Sequence, residues 1–223
     1  KSFDIIIFAL YPHTFINWIK ENQNLLKENA LMTDVTGVKK IVVEEIQNIL
    51  RKDLEFIPSH PMAGRELSGV QNSDEMIFMG ANYLVVPTDK NKAESVEIVK
   101  EIGHILGFKN ITLLSIEEHD QMIAFLSQLT HCIAISLMTC NDNEELAKFT
   151  GDSFRDLTRI AKINENMWTE LFLSNKEQLL KEIELFVNEL NKLKLAIKND
   201  DDTTIKKMMK LSTERRKKFD KKI

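Results

Sequence analysis

Between Phe3 and Leu114 the chain alternates short apolar runs with longer stretches of helical period, and from Glu117 onward the pattern is helical throughout. This switch constrains the fold more than any other feature of the sequence. Phe3-Asp4-Ile5-Ile6-Ile7-Phe8-Ala9-Leu10 is nearly unbroken and β-branched, as expected of a parallel strand buried on both faces. Tyr11-Pro12 ends it, and residues 13–27 follow with Phe15, Ile16, Ile19, Leu25 and Leu26 in a helical pattern. Residues 30–35 read as a second strand. Residues 38–50 read as a helix with Val38, Ile41, Val42, Ile46 and Ile49 on one side. Residues 54–57 form a third strand, and residues 72–80 are irregular or briefly helical. A fourth strand follows at 82–87, a helix at 91–106 and a last strand at 111–114. Strands that alternate with helices in this way imply crossover units and a mainly parallel sheet.

The second half is expected to be helical throughout, over residues 117–140, 144–150, 153–163, 166–173, 175–198 and 201–219. The first of these is apolar on nearly every side, which points to burial, as at a subunit interface. Asn199-Asp200-Asp201-Asp202 reads as a helix stop followed by an acidic N-cap. The fold class is therefore α/β plus all-α, with residues 1–115 as the sheet domain and 116–223 as a helical domain.

The seven glycines, at 37, 64, 69, 80, 103, 107 and 151, include no Gly-x-Gly-x-x-Gly. A dinucleotide domain needs that loop after its first strand, where backbone amides and a helix N-terminus meet the pyrophosphate. The sheet domain is accordingly read as the C-terminal half of a Rossmann-type domain that lacks roughly its first 70 residues. The formal net charge of −4 argues against a nucleic-acid partner. Residues 200–223 carry nine Lys/Arg against five Asp/Glu and read as a solvated helix face. Cys132 and Cys140 read as reduced core thiols of a cytoplasmic protein. No unbroken apolar run approaches the roughly 18 residues of a membrane span, and Lys1-Ser2-Phe3-Asp4 lacks signal-peptide features, so no membrane partner is expected.

The chemistry concentrates in Ser59-His60-Pro61-Met62-Ala63-Gly64-Arg65-Glu66-Leu67-Ser68-Gly69. Proline and two glycines shape this stretch into a loop that presents His60 at a strand's carboxyl edge, where open α/β sheets bind ligands. Read alone, it is equally a surface turn with a solvated histidine. The full run resembles the His-Pro-Met/Ile-Ala-Gly-x-Glu-x-Ser-Gly signature of the prephenate dehydrogenase family. Other stretches resemble that family in order. Thr33-Asp34-Val35-Thr36-Gly37-Val38-Lys39 is similar to Thr-Asp-Val-Gly-Ser-Val-Lys. Ser127 to Ala134 is similar to Ser-His-Leu-Pro-His-x-x-Ala, with Gln128 at the first histidine and His131 at the second. Gly151 to Ala161 resembles Gly-Gly-Gly-Phe-Arg-Asp-x-Thr-Arg-Ile-Ala, and Met167 to Asn175 resembles Met-Trp-x-Asp-Ile-Phe-Leu-x-Asn.

The resemblance implies a prephenate dehydrogenase, with arogenate dehydrogenase as the alternative. Such an enzyme oxidatively decarboxylates a cyclohexadienol to a phenol, with hydride transfer to NAD or NADP. It implies that Ala9, Leu10 and Pro12 lie against the dinucleotide, with Asp34 and Thr36 near the nicotinamide. The family's serine position is Gly37 here, so Thr36 would supply the hydroxyl. His60 is the candidate proton acceptor, since a neutral imidazole suits that role. His131, Arg159, Thr36, Gln128, Trp168, Glu66 and Asp156 are the candidate substrate residues, Arg159 because a guanidinium fork suits a carboxylate. Arg155 and Arg159 are expected on one helix face, where they could equally pair with Asp152 and Asp156. His131 and Trp168 could equally be core residues. His13, His104 and His119 read as structural or exposed. No histidine spacing suggests a metal. The helical domain is expected to form a homodimer. Without the phosphate loop, a non-catalytic dimerisation or regulatory module is the rival from another class.

Overall fold

The structure is a computed structural model and describes residues 2–64 and 69–220. Its contacts divide the chain into two compact units, Lys1–Leu179 and Leu180–Ile223. In the first unit, β1 (Ile5–Phe8), β2 (Leu31–Asp34) and β3 (Glu55–Ile57) form a parallel sheet in that order. Its register pairs Ile5 with Leu31 and Thr33 with Ile57. Two crossover helices join these strands, α1 (Pro12–Asn22) and α2 (Lys40–Ile49). Proline sits in the first turn of α1, where its missing N–H leaves no bond unmade. Phe15, Ile16 and Ile19 of α1 and Val42, Val43 and Ile46 of α2 pack on Phe8, Met32 and Phe56 in one core. Phe8 stacks on Phe15 at 4.5 Å between ring centroids, and Phe15 meets Phe56 edge-on at 5.5 Å. Such pairs contribute about 0.5–1.5 kcal/mol each beyond burial.

The second sheet joins β4 (Ser59–Pro61), β5 (Asn82–Val85) and β6 (Asn110–Leu113). β4 runs antiparallel to β5, and β5 parallel to β6 across α3 (Ala93–Ile105). Two expectations change here. The segment read as a loop around His60 begins as a strand, because Ser59–Pro61 pairs with Tyr83–Val85. The first strand is not buried on both faces. Among the described residues, Ile6 and Phe8 pack on the core while Ile5 and Ile7, on the other face, are exposed by 41% and 49%.

Ser115 begins the helical part with a capping box. Its hydroxyl accepts from the Glu118 amide, and the Glu118 carboxylate accepts from the Ser115 amide. α4 (Ile116–Ile123) runs through a π-helical segment, Ala124–Leu129, into α5 (Thr130–Thr139). By length and composition the continuous helix Ile116–Thr139 is apolar enough to cross a membrane, contrary to the expectation from unbroken runs. α6 (Leu146–Phe149), α7 (Asp152–Thr158) and α8 (Glu165–Ser174) follow. Cys140 is exposed and Cys132 half-buried, so neither is the core thiol expected; both are free. α9 (Lys176–Lys198) continues into the second unit, which also holds α10 (Asp202–Arg216). The expected stop and cap fall where the sequence places them. Asp200 is left-handed (φ 52°), and Asp201 accepts from the Thr204 amide at 3.0 Å. The α/β-plus-helical class is the one observed.

Candidate active site

A buried polar cluster at the carboxyl end of β2 fixes the position of His60. Asp34 and Lys39 are both fully buried, with Nζ 2.7 Å from Oδ2. Asp34 also accepts from the Thr36 and Ser59 amides, each at 3.0 Å, and from the Thr36 hydroxyl. The Ser59 hydroxyl donates to the Asp34 carbonyl at 2.7 Å and lies 2.8 Å from the Thr33 hydroxyl and 2.6 Å from that of Tyr83. These bonds lock β4 across the end of β2 and leave the next residue, His60, at the carboxyl edge of the parallel sheet. Burial pushes the Lys39 pKa below its ordinary value despite the neighbouring Asp34 carboxylate.

Behind His60 stands a second histidine. His60 Nδ1 is 3.0 Å from His119 Nε2, and His119 Nδ1 is 2.7 Å from Asp120 Oδ1. The Asp120 carboxylate also accepts from the Lys39 and Lys40 amides, both at 2.9 Å, and so caps the N-terminus of α2 from α4. Burial, then the neighbouring His119 and the Lys39 charge, hold the His60 pKa well below the ordinary 6.5. Burial likewise lowers that of His119, against the opposing pull of Asp120.

His60 lines a cavity of ≈ 530 Å³ together with His131, Arg159, Trp168, Tyr11 and Lys162. The sheet region supplies Tyr11 and the Pro61–Gly64 wall. The helical region supplies Ser127, Ile160, Ile163, Asn164 and Met167. His131 Nδ1 donates to the Ser127 carbonyl at 2.8 Å, a bond made within the π-helical segment and the turn after it. Its ring stacks on Trp168 at 3.5 Å between centroids. Two basic side chains and no acidic one line this cavity among the described residues, which suits an anionic ligand.

The structure thus brings together His60, His131, Arg159 and Trp168, and it turns other candidates away. Gln128 is buried, donates to the Leu171 carbonyl and accepts from Asn175, both at 2.9 Å, and does not line the cavity. Asp34 and Thr36 are buried inside their own cluster. The Thr36 hydroxyl donates inward to Asp34, so it is not presented to a ligand. Pro12 is buried and Leu10 packs on the core, leaving Ala9 and Tyr11 as the exposed residues at the end of β1. Asp156 is exposed and outside the cavity lining. Glu66 lies outside the described residues. Arg155 and Arg159 do not act as a pair. α7 ends at Thr158 and tightens to a 3-10 turn at Arg159–Ala161, while Arg155 pairs with Asp152 on the surface. His13 is exposed but meets Glu170 through both its amide and Nδ1. His119, Asp120, Lys39 and Tyr11 were not singled out from sequence. An acidic-histidine start to a helix gives no sign that its histidine is buried.

Family models match both parts of the chain, the nucleotide-binding domain of prephenate dehydrogenase over residues 1–111 and its dimerization domain over 115–211. The chain belongs to the prephenate dehydrogenase family. It is 30% identical over 182 residues to prephenate dehydrogenase of Bacillus subtilis, covering 79% of this chain and 48% of that protein. It is 32% identical over 209 residues to the Lactococcus lactis prephenate dehydrogenase, covering 91% and 57%. The chain thus spans about half the length of these curated relatives. A crystal structure of Aquifex aeolicus prephenate dehydrogenase, in complex with hydroxyphenyl propionate and NAD+, superposes with a TM-score of 0.90 at 32% identity. That match covers 98% of this chain and 77% of the other. For a member of the prephenate dehydrogenase family, Gly37 is a notable position. A Cβ built there would lie 3.3 Å from Leu171 and 4.0 Å from His60 Cε1, so any side chain would enter the histidine's surroundings.

Proposed function

We propose that the protein is an NAD-dependent prephenate dehydrogenase, and that the cavity around His60 is its substrate site. The observation that carries this reading is the convergence of a neutral, tightly held histidine from the sheet region with Arg159 and the stacked His131–Trp168 pair from the helical region. Residues 1–115 serve as the nucleotide-binding part and 116–223 as the substrate and dimerisation part. The exposed apolar side chains Met122, Phe125, Leu126 and Met138 of the helix Ile116–Thr139 support a homodimer formed through that region. Two free cysteines are in keeping with a cytoplasmic protein.

The residues present fit the nicotinamide end of the cofactor. Ala9 and Tyr11 are exposed at the carboxyl end of β1, and Tyr11 shares the cavity with His60. Asp34 and Thr36 take no part in this fit. A nicotinamide held beside Ala9 and Tyr11 would supply the hydride acceptor for the hydroxyl-bearing ring carbon. Arg159 and Lys162 bind the carboxylates, and Trp168 with Met167 shields the ring from water. His60 accepts the hydrogen bond from the ring hydroxyl and draws electron density onto the carbon that loses hydride. Loss of the ring carboxylate as carbon dioxide then makes the ring aromatic, and the oxygen keeps the proton as a phenol. The net reaction releases no proton, so His60 acts by polarising the hydroxyl and has no proton to discharge.

The test is NADH formation by the natural-length protein with prephenate and, separately, arogenate, alongside calorimetric titration of NAD+. His60→Asn should lower turnover by roughly 10² to 10⁴ with substrate binding largely kept. Turnover of neither substrate together with no NAD+ binding would reject the enzyme reading in favour of a non-catalytic module.

A further inference from the structure

We infer that Asp120 and His119 form a positioning chain that fixes His60 as its Nδ1–H tautomer, so that Nε2 meets the substrate hydroxyl as an acceptor. The inference rests on the reading of His60 as the hydroxyl-polarising group, and it adds two residues that touch neither substrate nor cofactor.

The argument begins at Asp120, whose carboxylate only accepts hydrogen bonds. Two backbone amides, of Lys39 and Lys40, hold its oxygens at 2.9 Å, so the group can neither swing nor tilt without uncapping α2. Its third contact, 2.7 Å to His119 Nδ1, therefore needs a proton on that nitrogen. A neutral His119 then carries its lone pair on Nε2, 3.0 Å from His60 Nδ1. Two lone pairs at that distance repel, so the proton between the rings belongs to His60 Nδ1. A neutral His60 is left with its lone pair on Nε2, the ring nitrogen outside this chain of bonds.

Neutrality of both rings follows from their surroundings. Among the described residues, the charged groups that act on the pair are Lys39 from the start of α2, Asp34 from β2 and Asp120 from α4. The buried Lys39 ammonium opposes a second cation at either histidine, and burial opposes it further. When the hydroxyl leans its proton toward His60 Nε2, positive charge grows on the ring. The Nδ1–H bond shares that charge with His119, and through it with the Asp120 carboxylate. A histidine held this way needs no reorientation during the reaction. The interplanar angle of 54° between the two imidazoles excludes a stacking role for the contact.

The test uses the natural-length protein, specifically ¹⁵N-labelled at histidine. Side-chain NMR should show His60 protonated on Nδ1 and bare on Nε2, and His119 likewise protonated on Nδ1. His119→Phe removes the acceptor behind His60. It should lower kcat by about 10-fold or more, toward the roughly 10² to 10⁴ expected of losing His60 itself, while KM stays within about two-fold. His119→Gln, whose amide oxygen can accept from Nδ1, should restore most of kcat. A His60 protonated on Nε2, or a His119→Phe enzyme with unchanged kcat, would overturn the inference. The NMR measurement on the unsubstituted protein stands even where a variant fails to fold. The function reading fails separately, when His60→Asn keeps full turnover.

Discussion

The buried pair Asp34–Lys39 gives a quantitative test, because its two halves are not equivalent. Asp34→Ala removes the acceptor for the Lys39 ammonium, the Thr36 and Ser59 amides and the Thr36 hydroxyl. The ammonium, fully buried, keeps only the Thr36 carbonyl and hydroxyl, at 3.0 and 3.1 Å. An uncompensated buried charge of this kind costs about 3–5 kcal/mol. Lys39→Met removes the cation instead. Asp34 then retains both amides and the Thr36 hydroxyl, and methionine fills the lysine's apolar path, so the cost should be about 1–2 kcal/mol. The assay is urea unfolding followed by tryptophan fluorescence, to which Trp18 contributes from beside the sheet core, its ring 5.0 Å from that of Phe8. With a slope of about 2 kcal/mol per molar, Asp34→Ala should lower the midpoint by about 1.5–2.5 M and Lys39→Met by less than about 1 M. Equal losses, or a larger loss for Lys39→Met, would refute the claim that the carboxylate organises this cluster. The two variants should also part in activity. Asp34→Ala frees the Ser59 amide that anchors the strand bearing His60, and so should reduce turnover as well as stability.

Three further outcomes follow from the same geometry. Because burial, His119 and Lys39 hold the His60 pKa well below 6.5, the acid limb of kcat/KM should fall below pH 6.5, and a limb at or above that value would contradict the assignment. Since both histidines bind protons more readily in the unfolded chain, stability should be full above about pH 6.5 and decline as pH drops below it, as urea midpoints at pH 7.5 and 5.5 would show. Arg159→Ala should raise KM by the equivalent of roughly 2–5 kcal/mol with a smaller effect on kcat, whereas Arg155→Ala, which breaks an exposed pair with Asp152 and a 3.3 Å hydrogen bond to the Thr150 carbonyl, should leave both nearly unchanged. Steady-state kinetics on the two variants decides this, and equal effects would return Arg159 to a solvated face.

The sequence by itself determined the order and kind of the main elements other than β4, the change from alternating to helical structure after Ser115, and His60 as a candidate. These are local matters. Apolar period, a proline in the first turn of a helix and an Asp-rich stop each act within a few residues, and the structure repeats them at Pro12 and Asp201. What lay beyond the sequence was every property that depends on distant partners. β4 is three residues long, too short for a pattern, and exists because residues 83–85 pair with it. Gln128 and Thr36 looked like ligand-facing polar groups, yet their partners, Asn175 and Asp34, draw them inward. His119 lies in the first turn of a helix beside three acidic residues, where the sequence leaves the ring structural or exposed. Only the packing of α4 against the start of α2 buries it behind His60 and gives it Asp120 as a fixed neighbour. Local propensity thus marked candidate residues, and tertiary contact decided which of them are drawn inward and which line the cavity, because burial and hydrogen-bond geometry belong to the assembled chain.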